Sequence, residues 1–419
     1  MNKKAPKYSI IIPTYNGHNY LPTCLETIIS QDYSDYELII SDDHSIDGTR
    51  AFLETLNHES ITIVYPPESL SMTEHWEWAL SHAKGEWQIF VGQDDGLQPY
   101  FFQLADKLTK EAQKKGVRTI MSSRAYFFWQ GCEHVYGDIA VGYYAENKTK
   151  IHGFKYQALK ALLGLQDYFE LPQMYTTALF HKELLDEARS KQEGKVFSCH
   201  PQDANLAAIA CSLEKEYLKS FIPLGWVGSS PRSAGMAISG AKSSLSDKNM
   251  QKEREQLKEA YLKKVSKSKL KYHEWAGDFS FGNGALYFWQ ALLMTQHLRD
   301  ESVNNRIKSK LFRVILFSRI LYAKKFPKNK SKKALFKRGP FNKLLQINHC
   351  NQNSVNILFI LITVVSKPFE FLSKIMRGIG RVLIRNGVTL RINWTDDTQV
   401  GMKKASMQVS SKLDKKGWL

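Results

Sequence analysis

The sequence has few cysteines and no long apolar run. The five cysteines, at positions 24, 132, 199, 211 and 350, contain no CxxC pair, which argues against a zinc ribbon or a dithiol redox centre and favours a reducing compartment. No stretch of about 20 apolar residues is present, so no membrane-spanning helix is expected. The apolar run near the N-terminus ends at Pro13 and is too short for the core of a signal peptide. We therefore expect a cytoplasmic protein.

Acidic residues are scarce in the second part of the chain. Residues 1–240 carry 22 basic and 29 acidic side chains, whereas residues 241–419 carry 36 basic and 12 acidic ones. The net charge of +17 over 419 residues therefore comes entirely from the second part. With 43% hydrophobic and 24% charged residues, wholesale disorder is excluded. The chain is expected to have two unlike parts with different partners.

Short β-rich runs alternate with helical patterns through the first part. Strands are predicted near residues 8–12, 37–40, 61–64, 87–91 and 118–122, and helices near 20–29, 45–56, 73–83 and 100–115. For the second of these helices, Ser45 or Asp47 is the expected N-cap. The alternation predicts an α/β fold with a mostly parallel sheet. Ligands of such sheets bind at the carboxyl ends of the strands.

Two of the predicted strands run into paired aspartates, Asp42–Asp43 and Asp94–Asp95. Both pairs should face one crevice, and a carboxylate pair requires a cation or hydrogen-bond donors nearby. Gly92 and Gly96 flank the second pair and allow a close approach to a ligand. Carboxylate oxygens suit Mg²⁺ or Mn²⁺, with substrate phosphates completing the site. Taken singly, each pair has an alternative interpretation as a helix cap or a solvated turn.

Three blocks of residues resemble the family 2 glycosyltransferases. They are Pro13-Thr14-Tyr15-Asn16, the run from Asp42 to Thr49, and Gly85-Glu86 followed by Gln93-Asp94-Asp95-Gly96 and Pro99. Their order and spacing match the family pattern through about residue 240. The resemblance implies that residues 1–240 form a GT-A domain that uses a nucleotide-sugar donor.

The resemblance also implies roles at the donor. Asp42 would accept a hydrogen bond from uracil N3–H, which favours uridine because neutral cytidine lacks this donor. Asn16 would support its loop. The implied donor-binding residues are Pro13, Thr14, Tyr15, Asn16, Asp42, Asp43 and Asp94.

For the metal, Mn²⁺ or Mg²⁺, the resemblance implies Asp94 as the main ligand. Many family members carry Asp-x-Asp, but Gly92 occupies the first of these positions here. We therefore expect either Asp95 as a second ligand, or a metal held by Asp94 and the donor diphosphate alone.

An inverting transfer needs a carboxylate that takes the proton of the acceptor hydroxyl. The family places this base at the start of a helix about a hundred residues after the metal motif, which implies Asp203. Gln202 stands where a Glu is usual. The alternative for Asp203 is a carboxylate favoured only by the helix dipole, and Asp167 and Glu170 are rival candidates for the base.

Arg232 lies in a small-residue loop that follows a predicted strand. Similar enzymes have a flexible loop near the donor phosphates at this place. Arg232 is therefore a candidate for pairing with the diphosphate, and a structural turn is the alternative.

The basic part, residues 241–419, is predicted to be mainly helical. A helical wheel over residues 371–385 separates basic from apolar side chains: Lys374, Arg377, Arg381 and Arg385 against Phe371, Leu372, Ile375, Ile379, Val382 and Leu383. Such a helix beside the apolar run 355–365 predicts docking on an anionic membrane surface. A helical subdomain with solvated basic faces is the alternative. No nucleic-acid recognition motif is present, so no nucleic-acid partner is expected.

Taken together, these features predict a glycosyltransferase that is peripheral on the inner face of the cytoplasmic membrane. It would transfer a sugar from a UDP-sugar, with inversion, to a polyprenyl-diphosphate-linked saccharide. The resemblance implies bacterial surface-polysaccharide synthesis, of lipopolysaccharide O-antigen or of capsule. The alternatives are a soluble or protein acceptor, another nucleotide, or a non-catalytic nucleotide-sugar-binding protein, which the residues Gly92 and Gln202 suggest.

Overall fold

The computed structural model describes residues 5–132, 139–233, 248–270, 283–325, 338–364, 387–394 and 401–419. Up to residue 233 the strands are β1 (Tyr8–Thr14), β2 (Tyr36–Asp42), β3 (Ile61–Val64), β4 (Trp87–Phe90), β5 (Gly96–Leu97), β6 (Thr119–Ser122), β7 (Ala125–Phe128), β8 (Ile139–Ala145), β9 (Thr149–Gly153), β10 (Ala178–His181), β11 (Glu216–Ser220) and β12 (Gly225–Ser229). The helices of this part are α1 (Leu21–Ile29), α2 (Thr49–Glu54), α3 (Met72–Ser81), α4 (Phe101–Lys115), α5 (Phe154–Leu162), α6 (Lys182–Lys191) and α7 (Gln202–Leu213), with a 3₁₀ turn at Tyr168–Glu170.

The second part adds helices and one strand. They are α8 (Lys248–Lys267), α9 (Gly284–Met294), α10 (Glu301–Lys308), α11 (Lys310–Lys325), α12 (Arg338–Ile347), α13 (residues 352–364), β13 (Val388–Asn393) and α14 (Met402–Asp414). The prediction of a largely helical second part is confirmed for the described residues.

An eight-stranded sheet with the order β3-β2-β1-β4-β10-β6-β11-β9 forms the centre of the fold. Strands β3, β2, β1 and β4 are parallel, and the apolar residues of β1 are buried on both of its faces. The predicted α/β fold is therefore confirmed. Because β2 and β4 flank β1 in parallel, their carboxyl ends lie at one edge of the sheet, where Thr14 is opposite Asp42.

A second sheet with the order β13-β8-β7-β12-β5 lies beyond that edge, and it was not predicted from the sequence. Its short strand β5 directly follows the second aspartate pair and is antiparallel to β12, where Trp226 is opposite Gly96. At Gly228 a side chain is impossible, because an added Cβ would lie 1.7 Å from the carbonyl oxygen of Asp94. This close contact fixes the aspartate loop against β12.

Two segments of the second part belong to the fold of the first. Strand β13 is antiparallel to β8, and α14 contributes Met402, Val409 and Leu413 to the main hydrophobic core. The indole nitrogen of Trp226 donates a hydrogen bond of 2.8 Å to Ser406 Oγ. The expected division into residues 1–240 and 241–419 therefore does not hold for β13 and α14, and the chain beyond residue 388, whose order the sequence left open, is folded at these two elements.

The remaining helices of the second part form a core of their own on α7. Trp289, Phe317 and Phe341 are buried together there with Ala204 and Ala207 of α7. The predicted amphipathic helix 371–385 lies outside the described residues. Within the described ranges, the helices are too short or too polar to cross a bilayer.

Candidate functional site

The loop after β1 is tied to the loop after β4. Gln93 Oε1 accepts hydrogen bonds from Thr14 Oγ1, at 2.6 Å, and from the backbone nitrogen of Tyr15, at 3.0 Å. Pro13 lies within β1, opposite Ser41. The structure thus brings the Pro13–Tyr15 segment against the block that contains the second aspartate pair.

Asn16 connects the same loop to the residues after β2. It has a positive φ of 52°, a conformation that Asn tolerates better than most residues. Its backbone nitrogen donates to Ser45 Oγ at 2.8 Å, and its Oδ1 accepts from the nitrogen of Ile46 at 2.9 Å. Asn16 therefore connects the loop after β1 to the loop after β2.

Asp42 is completely buried at the end of β2. Its Oδ1 accepts hydrogen bonds from the hydroxyl and the backbone nitrogen of Ser45. Its Oδ2 is buried as well and has no hydrogen-bond partner within the described part of the chain. Since an unsatisfied buried acceptor is energetically costly, Asp42 Oδ2 is a position where a ligand N–H or O–H would be stabilised.

Asp43 has partners from two parts of the chain. Its Oδ1 accepts from the backbone nitrogen of Leu70 at 2.9 Å. Its Oδ2 lies 2.6 Å from the ammonium group of Lys264, on α8. The same ammonium group lies 4.2 Å from the centre of the Tyr15 ring. Asp43 therefore contacts a side chain of the second part.

Asp94 and Asp95 have different environments. Asp94 Oδ2 accepts hydrogen bonds from the nitrogen and the hydroxyl of Ser230, at 3.1 and 2.7 Å. Both oxygens of the fully buried Asp95 accept from the protein: Oδ1 from the nitrogen of Gly228, and Oδ2 from Thr176 Oγ1 and the nitrogen of Gly92. Burial, followed by the neighbouring charge of Asp94, raises the pKa of Asp95.

These environments decide which residues fit a metal ion. Both oxygens of Asp95 accept hydrogen bonds inside the protein, whereas the hydrogen bonds of Asp94 given above involve its Oδ2. Within the described ranges, no group of three His, Cys, Asp or Glu residues is arranged so that it could hold a metal ion. Asp94 is the carboxylate that fits, since Mg²⁺ in particular is often held by one or two carboxylates plus substrate phosphates.

Asp203 lies in the first turn of α7, as predicted. Its Oδ2 accepts from the hydroxyl of Tyr168 at 2.9 Å, and its Oδ1 from the nitrogen of Ala204 at 2.8 Å. Burial raises the pKa of Asp203, although these two hydrogen bonds and the charge of Arg124 oppose the shift. A carboxylate with a raised pKa is a stronger base once it is ionised.

The rival carboxylates have other surroundings. Asp167 Oδ1 accepts from the nitrogen of Phe169 at 3.2 Å and caps the 3₁₀ turn. Glu170 lies 4.0 Å from the ammonium group of Lys219, and about half of its side chain is exposed. Neither of these carboxylates shares the burial of Asp203.

Arg232 lies beside the loop that follows β2. Its guanidinium is 3.9 Å from Asp47 Oδ2, and 40% of its side chain is exposed. It is two residues from Ser230, the partner of Asp94. The structure therefore places Arg232 among the candidate donor-binding loops.

Several residues of the site were not found from the sequence. Lys264 reaches the site from a helix about 220 residues away in sequence, and Gln93 was quoted only as part of a motif and without its role of joining two loops. The charge of Arg124 acts on both Asp203 and Tyr175, and the hydroxyl of Tyr175 is hydrogen-bonded to Asp95. Arg124 thus links the candidate base to the aspartate loop. Glutamine, lysine and arginine without a motif give no sequence signal for such roles.

Comparison with known proteins finds a family match over part of the chain. Residues 9–159 match the family described as "Glycosyl transferase family 2". A stretch of 115 residues is 31% identical to the putative teichuronic acid biosynthesis glycosyltransferase TuaG of Bacillus subtilis, covering 27% of this chain and 43% of that protein. Over 100 residues the chain is 31% identical to the Campylobacter jejuni GalNAc(5)-diNAcBac-PP-undecaprenol beta-1,3-glucosyltransferase, covering 22% of this chain and 31% of that protein.

The extent of these matches is limited. The chain spans less than half the length of each of these two curated relatives. A solved structure of S. aureus TarS in complex with UDP aligns with 75% of this chain and 87% of that chain, at 16% identity and a TM-score of 0.43.

Proposed function

Because residues 9–159 match the family described as "Glycosyl transferase family 2", we propose that this chain is an inverting glycosyltransferase of the GT-A type with a UDP-sugar donor and a lipid-linked saccharide acceptor. The relatives that it matches act in the synthesis of cell-surface polysaccharides and glycolipids. The observation that carries the proposal is the buried, unpartnered Oδ2 of Asp42 beside the Pro13–Tyr15 loop, as far as the described residues extend.

The donor assignment follows from the chemistry of this oxygen. An ionised carboxylate only accepts hydrogen bonds, and uracil presents an N3–H where neutral cytosine has no hydrogen. A uracil at Asp42 would therefore satisfy Oδ2, whereas cytosine would leave it unsatisfied. In this proposal Pro13, Thr14, Tyr15 and Asn16 lie along the nucleotide, with Asp43 beside them and Arg232 near the diphosphate.

A divalent cation would be held by Asp94 and the donor diphosphate. Its donor set of carboxylate and phosphate oxygens suits Mn²⁺ or Mg²⁺. When bound, such an ion stabilises the negative charge that develops on the leaving diphosphate. Asp95 has a different role, because its hydrogen bonds to Gly228, Thr176 and Gly92 hold the loop that carries Asp94.

Asp203 acts as the general base. Its carboxylate takes the proton of the acceptor hydroxyl while the hydroxyl oxygen attacks the anomeric carbon of the donor sugar. The bond from that carbon to the diphosphate oxygen breaks, and UDP leaves with the electron pair, so that the configuration is inverted. The hydroxyl of Tyr168, 2.9 Å from Oδ2, fixes the orientation of the carboxylate.

The substitution Asp203→Asn tests the chemistry. We expect it to lower kcat at least about 100-fold, since general bases contribute factors of this size, while UDP affinity stays within twofold of wild type. Transfer from a panel of UDP-sugars to a polyprenyl-diphosphate-linked saccharide is the assay, and Glu170→Gln is the matched control for the rival carboxylate. Unchanged transfer by the Asp203→Asn variant would reject this base. UDP binding without transfer by the wild-type protein would favour a non-catalytic binding protein.

The acceptor assignment places the protein at a membrane surface, where a lipid-linked saccharide would be found. Helix α13 presents an apolar stripe at Ile357, Ile360, Leu361 and Val364, each between 56% and 67% exposed. These positions follow the spacing i, i+3, i+4 and i+7 and share one helical face. The opposite side, with Val355 and Phe359, packs on the helical core. Exposed apolar stripes of this kind mark interaction surfaces.

The sequence on both sides of the stripe is strongly basic, which favours an anionic membrane. Residues 302–369 contain 15 lysines and arginines and no aspartate or glutamate. Each basic residue close to an anionic leaflet contributes about 1 kcal/mol of binding. We therefore propose that the protein is peripheral on the inner face of the cytoplasmic membrane and docks through α13. Aliphatic side chains offer nucleic-acid bases no aromatic platform for stacking, which disfavours RNA or DNA as the partner of this stripe.

Vesicle flotation tests the docking surface. The wild-type protein should float with vesicles that contain phosphatidylglycerol at low salt and float less at high salt. Ile360→Asp should reduce flotation several-fold, because it places a charge in the stripe. The control Gln352→Glu adds the same charge to an exposed position of the same helix outside the stripe and should float like wild type. Absence of wild-type flotation at low salt, or equal flotation of both variants, would reject this surface.

A further inference from the structure

We infer that Lys264, on helix α8 of the second part, is a positioning residue of the donor site. The inference rests on the proposed function, because it takes the segment Pro13–Asn16 and the aspartates after β2 as donor-binding residues. Its basis is that one ammonium group contacts both segments. Lys264 Nζ lies 2.6 Å from Asp43 Oδ2 and 4.2 Å from the centre of the Tyr15 ring.

The ion pair is largely shielded from water. The side chain of Asp43 is 3% exposed and that of Lys264 is 28% exposed. Within the described ranges, Lys264 is the cation that lies within 4.0 Å of Asp43. A buried carboxylate that loses its partner cation is strongly destabilised. Lys264 therefore holds Oδ2 of Asp43, while the backbone nitrogen of Leu70 holds Oδ1.

Tyr15 depends on the same cation. A lysine ammonium group at this distance from an aromatic ring attracts its electron-rich face. The Tyr15 side chain is 39% exposed, and the ammonium group of Lys264 lies over its ring. Lys264 thus supplies a fixed partner for an exposed aromatic side chain that borders the nucleotide.

The position of Lys264 is itself fixed by contacts at the end of α8. Ser268 Oγ forms hydrogen bonds of 3.1 Å with His200 Nε2 and 3.3 Å with Ser71 Oγ. The backbone nitrogen of Lys269 donates to Glu74 Oε1 at 3.0 Å. These three contacts attach the C-terminal end of α8 to α3 and to the residue before Pro201. The donor site is therefore coupled to the helices of the second part.

Binding measurements on three variants test the inference. Lys264→Met removes the charge but keeps the length of the side chain, and we expect the dissociation constant of UDP to rise about tenfold. Lys264→Arg keeps a cation at this place and should restore at least half of the lost binding energy. Lys263→Met is the matched control on the exposed side of α8 and should bind UDP like wild type.

A kinetic measurement separates positioning from a general structural effect. The variant Lys264→Met should raise KM for the donor about as much as it raises the dissociation constant of UDP, while kcat stays within threefold. If Lys264→Met folds poorly, the double variant Asp43→Asn/Lys264→Met removes both charges and leaves no unpaired ion. It should fold and bind UDP more weakly than Asp43→Asn alone, because the contact of Lys264 with the Tyr15 ring is lost as well.

The outcomes that overturn the inference are distinct. UDP affinity equal to wild type in Lys264→Met would overturn it, as would a loss in Lys264→Arg as large as that in Lys264→Met. A fall in kcat with unchanged KM would also overturn it, because the residue would then act on chemistry. If the wild-type protein binds no UDP, the donor assignment fails first and this inference fails with it.

Discussion

The surroundings of Asp42 show how a single carboxylate can favour one nucleotide base over another. Ser45 occupies one of its carboxylate oxygens, while the other is buried without a partner among the described residues. The first oxygen fixes the orientation of the carboxylate, and the second is left for a ligand donor. This arrangement favours a nucleotide base that presents an N–H to Oδ2 over one that presents an acceptor at the same position.

The corresponding prediction is a loss of selectivity in Asp42→Asn. An amide presents donors as well as an acceptor, so the variant should bind UDP about tenfold more weakly and discriminate less between UDP and CDP. Isothermal titration with both nucleotides measures the two constants. Asp47→Asn, a change in the same loop, is the control. Unchanged discrimination in Asp42→Asn would show that Asp42 does not contact the base.

At the scale of residues, the two aspartate pairs were visible in the sequence. The sequence did not show how the two aspartates of one pair differ in their environments. Asp94 and Asp95 are neighbours, and only their environments separate them. Asp95 is used by Gly228 and Thr176, which lie more than 80 residues further along the chain. Contacts of this range leave no local pattern, so the sequence could not show how the two carboxylates differ.

At the scale of elements, buried strands were predictable because their apolar runs are continuous. Strands β1 to β4 occur close to where these runs predicted them. Helix α2 was predicted with Ser45 or Asp47 as its N-cap, but it begins at Thr49. The hydroxyl of Ser45 donates to Asp42 instead, and Asp47 Oδ1 accepts from the nitrogen of Thr49 at 3.1 Å. The left-handed Gly48, with φ of 91°, occupies the capping position.

The docking of α8 depends on one neutral histidine. His200 is fully buried, its Nδ1 lies 2.7 Å from Thr73 Oγ1, and its Nε2 lies 3.1 Å from Ser268 Oγ. Burial lowers the pKa of His200 from 6.5 to about 4. Between about pH 4 and pH 6.5 the imidazole of His200 is therefore protonated in the unfolded chain and neutral in the folded chain. The contribution of His200 to the free energy of unfolding is therefore fully present above pH 6.5 and is lost as the pH falls toward 4.

We expect this histidine to contribute up to about 3 kcal/mol to the pH dependence of unfolding. Thermal or urea unfolding between about pH 4.5 and 7.5 should show stability rising with pH, and the rise should be smaller in His200→Gln. The exposed His58 provides the control His58→Gln, which should follow the wild-type curve. If the free energy of unfolding rose equally steeply with pH in all three proteins, this would contradict a buried neutral His200.

At the scale of the whole molecule, the chain returns to its first part at its end. Strand β13 extends the second sheet, and Leu413 of α14 is fully buried in the main core. No sequence pattern indicated this return, because β13 pairs with a strand about 245 residues earlier and is separated from it by the basic helices. The charge boundary near residue 240 therefore does not coincide with a boundary between two folds.

A core substitution in α14 tests this arrangement. Leu413→Ala should lower the free energy of unfolding by about 2–5 kcal/mol, as expected for a buried leucine. Met407 lies on the exposed side of the same helix, and Met407→Ala should change stability by less than about 0.5 kcal/mol. Urea unfolding of both variants is the measurement. Equal stabilities would mean that α14 is not part of the core.

Nucleotide-dependent thermal stabilisation of the wild-type protein tests the central claim most directly. A ligand that binds the folded chain raises its melting temperature by mass action, so UDP, GDP and CMP are compared at millimolar concentration, each with and without Mn²⁺. The account predicts stabilisation by UDP and not by GDP or CMP, and a larger effect with Mn²⁺. No stabilisation by any nucleotide, or an equal effect of all three, would contradict a UDP-sugar site at Asp42 and Asp94.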